Sequence, residues 1–261
     1  MTRTEPYSGT QAVQRAVALL KLFSDTKPEW GLTEMARAAR LNKTTVYRLL
    51  TALASEGLVA RSPAGEAYRL GPEAIAIGAR ALRSNDLRTV SRGYLAELAR
   101  KSDETATVEV LVGSDVLIVD EVHSRKWLHA SPSVGTRWPA HATSTGKVLL
   151  AYLPDADRRT LLRAPLAQPA RRTITTLTDL REELARVRNQ GYATAVGELE
   201  DGYSALGAPV RDHEGQVVAA VSLGGPSVRL PQDRLKAMLP LVLEATEGIS
   251  QQLGYGLSSG A

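Results

Sequence analysis

The segment Leu41-Asn-Lys-Thr-Thr-Val-Tyr-Arg-Leu-Leu50 carries the signals of a short helix with one buried face and one exposed face. Asn42 is a strong N-cap, because its side chain accepts a hydrogen bond from a free backbone N–H of the first turn. Gly57 is expected to end the helix, since glycine readily adopts the left-handed conformation of a helix end. The apolar residues at helical spacing are expected to face inward: Val46, Leu49, Leu50 and Leu53.

Two further helices precede this segment and a hairpin follows it. Apolar spacing predicts a first helix over residues 11–24, and Thr33 is expected to cap a short second helix. Strands are predicted at residues 58–62 and 67–70, around a turn at 63–66. The inward residues predicted for the first two helices are Val13, Ala16, Val17, Leu20 and Phe23, then Met35, Ala36 and Ala39. Three short helices followed by a two-stranded wing are typical of a winged helix-turn-helix, a module that reads DNA.

The outer face of the third helix carries residue types that such a module uses on DNA. Lys and Arg neutralise phosphate or reach guanine, and Thr suits phosphates or a thymine methyl. Residues 1–90 hold 13 Lys and Arg against 8 Asp and Glu, whereas residues 91–261 hold 19 against 20, so the basic excess lies in the first third. The predicted DNA-binding residues are Lys43, Thr44, Thr45, Tyr47 and Arg48 on the helix, with Arg61 and Arg69 on the wing strands. Trp30 is expected to cover the turn before the second helix. The alternative is that these charges form the solvated face of a small helical domain.

Composition limits the remaining classes. A chain of 261 residues suits one or two domains, and two is the better estimate. The absence of cysteine excludes disulfides, thiolate metal sites and cysteine nucleophiles. The four histidines, at 123, 129, 141 and 213, are too scattered to predict a metal site. Because the sequence shows neither a signal peptide nor an apolar run of about 20 residues, we expect a soluble cytoplasmic protein without a membrane segment.

Beyond the wing, the pattern changes to strands that alternate with helices. A helix is predicted over residues 73–88, a hairpin over 106–112 and 116–122, and a third strand at 127–130. Residues 131–140 contain two Pro and one Gly and are predicted as a loop. The later predicted helices are 143–153, 155–162 with Asp155 as cap, 180–190 and 231–253, and the later strands are 192–196, 205–211 and 217–223.

No motif in this part of the chain predicts catalysis. The segment His141-Ala-Thr-Ser-Thr-Gly-Lys147 ends in Gly-Lys, but a phosphate loop requires Gly where His141 stands and Ser or Thr where Val148 stands. Residues 202–207 match a nucleophile elbow only loosely, because the second Gly comes one position late. What remains is a set of small residues that leave room for a ligand and supply hydroxyl and N–H donors: Ser144, Thr145, Ala205, Ser222 and Gly224. Close packing of helix and strands is the alternative explanation for these small residues.

Three stretches in order carry a resemblance to a known family. They are residues 13–20 through 41–50 to 68–71, then residues 139–151, then residues 191–212 with Glu198, Ala205, Leu206 and Gly207. On these residues the chain resembles the IclR family of bacterial transcriptional regulators from end to end. The resemblance implies an α+β protein with an N-terminal winged helix-turn-helix (1–72), a linker helix (73–90) and a C-terminal GAF-like effector-binding domain (91–261). In that domain, helices flank an antiparallel sheet.

The resemblance also implies a ligand, partners and a regulatory role. Carried over by position, the effector pocket comprises Ser144, Thr145, Ala195, Ala205, Ser222 and Gly224. The family often has Asp or Ser where Ala195 stands, so we expect a wider and less polar pocket, suited to an aromatic acid or a related aromatic compound. Expected partners are double-stranded operator DNA and a small organic effector. The expected protein is a homodimer or a dimer of dimers that represses a catabolic operon. No metal or cofactor is expected. The alternatives are a hydrolase that uses Ser144 or Ser204, fused to a helix-turn-helix, and an architectural DNA-binding protein.

Overall fold

The computed structural model describes residues 8–24, 26–63, 65–83, 86–123 and 134–256. The chain divides into two compact units, Met1–Ser84 and Asn85–Ala261. Each unit contains its own apolar core, and the two are described separately. No helix among these residues is both long and apolar enough to cross a bilayer.

The described part of the first unit contains four helices and a hairpin. In chain order they are α1 (Ser8–Leu20), α2 (Leu32–Ala39), α3 (Lys43–Ser55), β1 (Val59–Arg61), β2 (Tyr68–Leu70) and α4 (Pro72–Arg83). The two strands pair antiparallel, with Ala60 opposite Arg69. One buried cluster forms the core: Leu19, Met35, Ala36, Val46, Leu50, Leu53, Val59 and Tyr68. The predicted order of three helices and a wing is confirmed.

Asn42 and Gly57 bound α3 as predicted. The Asn42 Oδ1 accepts a hydrogen bond from the backbone N–H of Thr45 at 2.7 Å, which orients the first turn of the helix. Gly57 has a φ of +68°, a conformation that is more costly for a residue with a side chain. A Cβ at Gly71 would collide with the carbonyl group of Gly57. The end of α3 and the start of α4 therefore meet through two glycines.

Two predictions for the earlier helices are wrong. Thr33 does not cap α2, because Gly31 takes the N-cap position and no side chain caps the helix. On α1, Leu19 is fully buried, whereas Val13 and Val17 are 64% and 42% exposed. Ala16, Leu20 and Phe23 pack against the core as predicted, so the prediction fails only at Val13 and Val17 and in missing Leu19.

The described part of the second unit forms a six-stranded antiparallel sheet with helices on both faces. In chain order the elements are α5 (Asp86–Ser102), β3 (Thr105–Val112), β4 (Asp115–Val122), β5 (Arg137–Pro139), a 3₁₀ turn (Ala140–Ala142), α6 (Ser144–Tyr152), α7 (Asp155–Leu161), α8 (Leu177–Gln190), β6 (Ala193–Val196), β7 (Tyr203–Arg211), β8 (Val217–Pro226) and α9 (Gln232–Gln252). The strand order is β5-β4-β3-β8-β7-β6. One face packs against α5 and α9, and the other packs against α6 and α8.

The helix predicted over residues 73–88 corresponds to the described helices α4 and α5, and residues 84 and 85 between them lie outside the described residues. The first ends at Arg83 and the second begins at Asp86, whose carboxylate lies in the first turn of α5, where the helix dipole favours negative charge. The strand predicted at residues 127–130 lies outside the described residues.

Two further predictions between β4 and α8 are corrected. The loop predicted at residues 131–140 contains β5, a short edge strand that pairs with β4 and ends at Pro139, where a missing N–H is tolerated. Asp155 does not cap α7, because Pro154 takes the N-cap position. The Asp155 carboxylate instead pairs with Arg158 one turn later.

Candidate DNA-binding surface and effector site

The first turns of α3 present a polar ridge. Its side chains are exposed, or half-buried in the case of Thr45: Lys43, Thr44, Thr45, Tyr47 and Arg48. Val46 and Leu50 are fully buried, so the core fixes the position of this ridge. Among the described residues, neither Lys43 nor Arg48 has an ion pair or a side-chain hydrogen bond. Both cations are therefore available to a phosphate or a base edge.

The two wing arginines leave the hairpin on opposite faces. Arg61 lies opposite Tyr68, and Arg69 lies opposite Ala60. Successive residues of a strand point to opposite sides, so the two side chains do not share a surface. Both are exposed, and the Arg61 guanidinium lies 5.7 Å from the centre of the Tyr68 ring.

Trp30 connects the wing to the turn before α2. Its backbone exchanges two hydrogen bonds with Tyr68, at 2.9 and 2.8 Å. Its indole N–H donates to the carbonyl of Leu22 at 3.0 Å, and the Lys27 ammonium lies 3.8 Å from the ring centre. These contacts agree with the structural role predicted for Trp30.

The predicted effector residues of the strands lie in two adjacent rows on one face of the second sheet. In one row Gly224 lies opposite Ala205, which in turn lies opposite Ala195. In the next row Ser222 lies opposite Gly207. Paired residues point to the same side of a sheet, and so do residues two apart on a strand. The strand register therefore brings these small residues together on the face that α6 covers.

The start of α6 lies directly on this face. A Cβ at Gly207 would lie 3.0 Å from the backbone of Ser144 and of Thr145, so this glycine permits the close approach of helix and sheet. The Ser144 and Ser222 hydroxyls are 3.4 Å apart. The Thr143 hydroxyl caps the helix by accepting a hydrogen bond from the backbone N–H of Gly146 at 3.0 Å. All six predicted effector residues are thus neighbours.

Two carboxyl groups that were not predicted lie on the same face. Glu109 of β3 accepts hydrogen bonds from the hydroxyls of Thr145 at 2.5 Å and Thr107 at 2.7 Å. Glu121 of β4 lies opposite Thr107. Burial raises the pKa of Glu109, although its two hydrogen bonds oppose the shift. Burial, followed by repulsion from Glu109 and Asp120, raises the pKa of Glu121 from 4.5 to about 7.

The Tyr203 side chain occupies the space that Gly224 leaves. A Cβ on Gly224 would collide with the Tyr203 hydroxyl. Burial, followed by the negative charges of Glu109 and Glu121, raises the pKa of the Tyr203 phenol well above its usual range. Carboxyl and phenol groups therefore lie beside the small residues of the predicted pocket.

Lys147 is a buried structural cation and does not belong to a phosphate loop. Its side chain is 1% exposed. The ammonium donates to the carboxylates of Glu183 and Glu198, each at 2.9 Å, and to the carbonyl of Thr194 at 2.6 Å. These acceptors use its three donor hydrogens and join α6 to α8, to β6 and to the loop after β6.

The serines considered for hydrolysis have other partners. The Ser204 hydroxyl forms a hydrogen bond with the Ser227 hydroxyl at 2.7 Å. The His141 Nε2 lies 2.7 Å from the carbonyl oxygen of Ala167, which is a structural contact. In the described ranges, no group of three or more His, Asp and Glu side chains is arranged to hold a metal ion.

Two family models match successive parts of the chain. The IclR helix-turn-helix domain matches residues 12–63, and the bacterial transcriptional regulator IclR C-terminal domain matches residues 79–251. The chain belongs to the IclR family of bacterial transcriptional regulators. An IclR-family chain with these two domains is a DNA-binding regulator, and the polar ridge of α3 lies within the helix-turn-helix match.

The IclR-family proteins to which this chain is similar are regulators. The glycerol operon regulatory protein of Streptomyces griseus is 34% identical, over 94% of this chain and 97% of its own length. The transcriptional repressor IclR of Escherichia coli is 30% identical, over 97% of this chain and 93% of its own length. A solved IclR homologue from Microbacterium hydrocarbonoxydans, complexed with 4-hydroxybenzoate, is 26% identical. Its TM-score is 0.77, and the match covers 93% of this chain and 98% of that one.

Three polar residues of this IclR-family sheet face escaped the sequence analysis: Glu109, Glu121 and Tyr203. A signal for the first is present in β3, where Thr105, Thr107 and Glu109 alternate with apolar residues. Such alternation places all three on one side of a strand. Glu121 and Tyr203 carry no comparable signal, because only the pairing of β4 with β3 and the packing of the Tyr203 ring against Gly224 bring them to this face.

Proposed function

We propose that this IclR-family chain represses a catabolic operon and that a small aromatic compound, bound in the second unit, changes its affinity for the operator. The convergence of all six predicted effector residues on the face under α6 carries the proposal. Ligand binding there shifts the balance between arrangements of the DNA-binding units, provided that the ligand binds those arrangements with different affinities. The names of two relatives, a glycerol operon regulatory protein and a transcriptional repressor, support this role.

On DNA, α3 enters the major groove and the wing holds the flanking backbone or the minor groove. The contacts come from Lys43, Thr44, Thr45, Tyr47, Arg48, Arg61 and Arg69. Arg48 reaches guanine or phosphate, and its exposure without a described partner supports this assignment.

The effector contacts Ser144, Thr145, Ala195, Ala205, Ser222 and Gly224. An aromatic ligand is favoured because Ala195 and Ala205, which lie opposite each other, carry the smallest side chains that a residue other than glycine can have. The solved relative that binds 4-hydroxybenzoate supports a ligand of this size.

The active species is a cytoplasmic homodimer or a dimer of dimers. We assign residues 1–72 to the DNA-binding domain, 73–90 to the linker and 91–261 to the effector domain. Ile75 and Ile77 of α4 are exposed, and burial of these side chains against a second copy would remove apolar surface from water.

DNA selection tests the function directly. Duplexes selected from a random library on the full chain are titrated by fluorescence anisotropy with wild type, Arg48→Ala and Arg186→Ala. Arg186 is the matched control, because it is an exposed arginine of α8 in the other unit. We expect Arg48→Ala alone to weaken binding, by roughly fivefold or more, without a change in melting temperature. Equal affinity of all three proteins would contradict the role of α3, and failure to select any sequence would contradict the function.

A further inference from the structure

Glu109 places a buried acid in the proposed effector site. Glu109 is only 6% exposed. Its carboxylate accepts hydrogen bonds from the hydroxyls of Thr107 and Thr145, which are neutral groups. No Lys or Arg of the described residues pairs with it. An ionised carboxylate in such a place is costly unless a cation compensates it.

Glu121 adds a second acid on the adjoining strand. It lies opposite Thr107, the residue whose hydroxyl donates to Glu109, so the two carboxyl groups share one face. The Glu121 side chain is 7% exposed, and its carboxylate lies 3.2 Å from the Nε2 of the more exposed His123. The described residues therefore provide no permanent cation for either acid in this part of the face.

The same position disfavours a ligand carboxylate. The start of α6 is the natural place for an anion, but the Glu109 carboxylate already accepts the hydroxyl of Thr145 there. A second carboxylate at this point would face like charge at short range. The Tyr203 ring, which lies over Gly224 beside these acids, offers an aromatic face that attracts cations.

We propose that the effector carries a cationic nitrogen, such as a protonated amine, with Glu109 and Glu121 as its counter-ions. This inference rests on the proposed function and names the chemical class of its ligand. The aromatic body lies beside Ala195 and Ala205, next to the Tyr203 ring that covers Gly224, and the ammonium lies against the two carboxylates. The two glutamates thus select amines over the acids of the same carbon frame.

Matched pairs of probes test this selection. The full chain is screened by thermal shift with 4-hydroxybenzylamine against 4-hydroxybenzoate, benzylamine against benzoate, and phenethylamine against phenylacetate. Dissociation constants follow by calorimetry. We expect the amine of at least one pair to raise the melting temperature and to bind at least about tenfold more tightly than its acid, which corresponds to about 1.4 kcal/mol.

The variants Glu109→Gln and Glu121→Gln retain side-chain size and the ability to accept hydrogen bonds, so they keep the fold while removing charge. Each is expected to lose at least about tenfold in amine affinity. The control Glu244→Gln, on an exposed residue of α9, is expected to leave amine affinity unchanged. Tighter binding of the acids, or equal amine affinity in all four proteins, overturns the ligand class and leaves the proposed sensor function standing. A panel in which no probe shifts the melting temperature overturns both.

Discussion

Replacement of Lys147 by Met tests the role of the buried cation most sharply. Methionine has similar length but no charge, so the substitution leaves Glu183 and Glu198 facing each other without their common partner. Loss of one member of a buried ion pair costs roughly 3–5 kcal/mol. The two glutamate side chains are 15% and 14% exposed and regain some hydration, so we expect a loss in the free energy of unfolding near the lower end, about 3 kcal/mol.

Urea unfolding measures this loss, with Lys101→Met as the control. Lys101 also lies beside two acids, Glu97 and Glu244, but on the exposed surface, where an ion pair contributes at most about 1 kcal/mol. A loss for Lys147→Met that is no larger than the loss for Lys101→Met would refute the buried three-acceptor site.

The pH dependence provides a second readout of the same substitution. Burial raises the pKa of Glu198 even with Lys147 beside it, and removal of the cation raises it further. A carboxyl group with a raised pKa in the folded state stabilises the fold at low pH, and this stabilisation is lost as the pH rises through that pKa. The loss in the free energy of unfolding caused by Lys147→Met should therefore be smaller at pH 5 than at pH 8. Adding Glu198→Gln should recover part of it at pH 8.

Three further substitutions test the cap of α3, the contact of α6 with the sheet and the burial of Glu121. Asn42→Ala removes the cap of α3 and should lower the free energy of unfolding by about 1 kcal/mol, measured in urea. Gly207→Ala places a Cβ 3.0 Å from the backbone of Ser144 and should cost about 1–3 kcal/mol through displacement of α6; a neutral result would contradict the close approach. Wild type should lose stability as the pH rises from about 5 to 8, because Glu121 has a raised pKa of about 7. Glu121→Gln should reduce this fall in the free energy of unfolding between pH 5 and 8. An unchanged pH dependence would show that the Glu121 carboxyl is not buried.

The helix α3 could be predicted in full because independent signals agree there. The Asn42 cap, the inward stripe that contains Val46 and Leu50, and Gly57 all define the same helix. On α1 these signals are weaker. Residues 16–20 are apolar at every position, so spacing does not decide between Val17 and Leu19, and packing against the rest of the unit selects Leu19.

The residues of the sheet face under α6 could be predicted from sequence where side chains are small, and not where they are long. The resemblance pointed to Ser144 and Ser222, and the packing of α6 on the sheet brings them together. Lys147 carried no visible role in sequence, because its partners lie 36 and 51 positions away and only the fold assembles them. For the same reason, the sequence did not reveal that Tyr203 fills the space over Gly224.

The proposed function requires that ligand binding in the second unit changes DNA affinity. The most direct test is the dissociation constant of the full chain for a selected operator, measured by anisotropy with and without a saturating amount of the probe that raises the melting temperature most. We expect this dissociation constant to change by about fivefold or more, the size of an ordinary allosteric coupling. An operator affinity that stays the same at saturation, with binding of the probe verified by calorimetry, would contradict it.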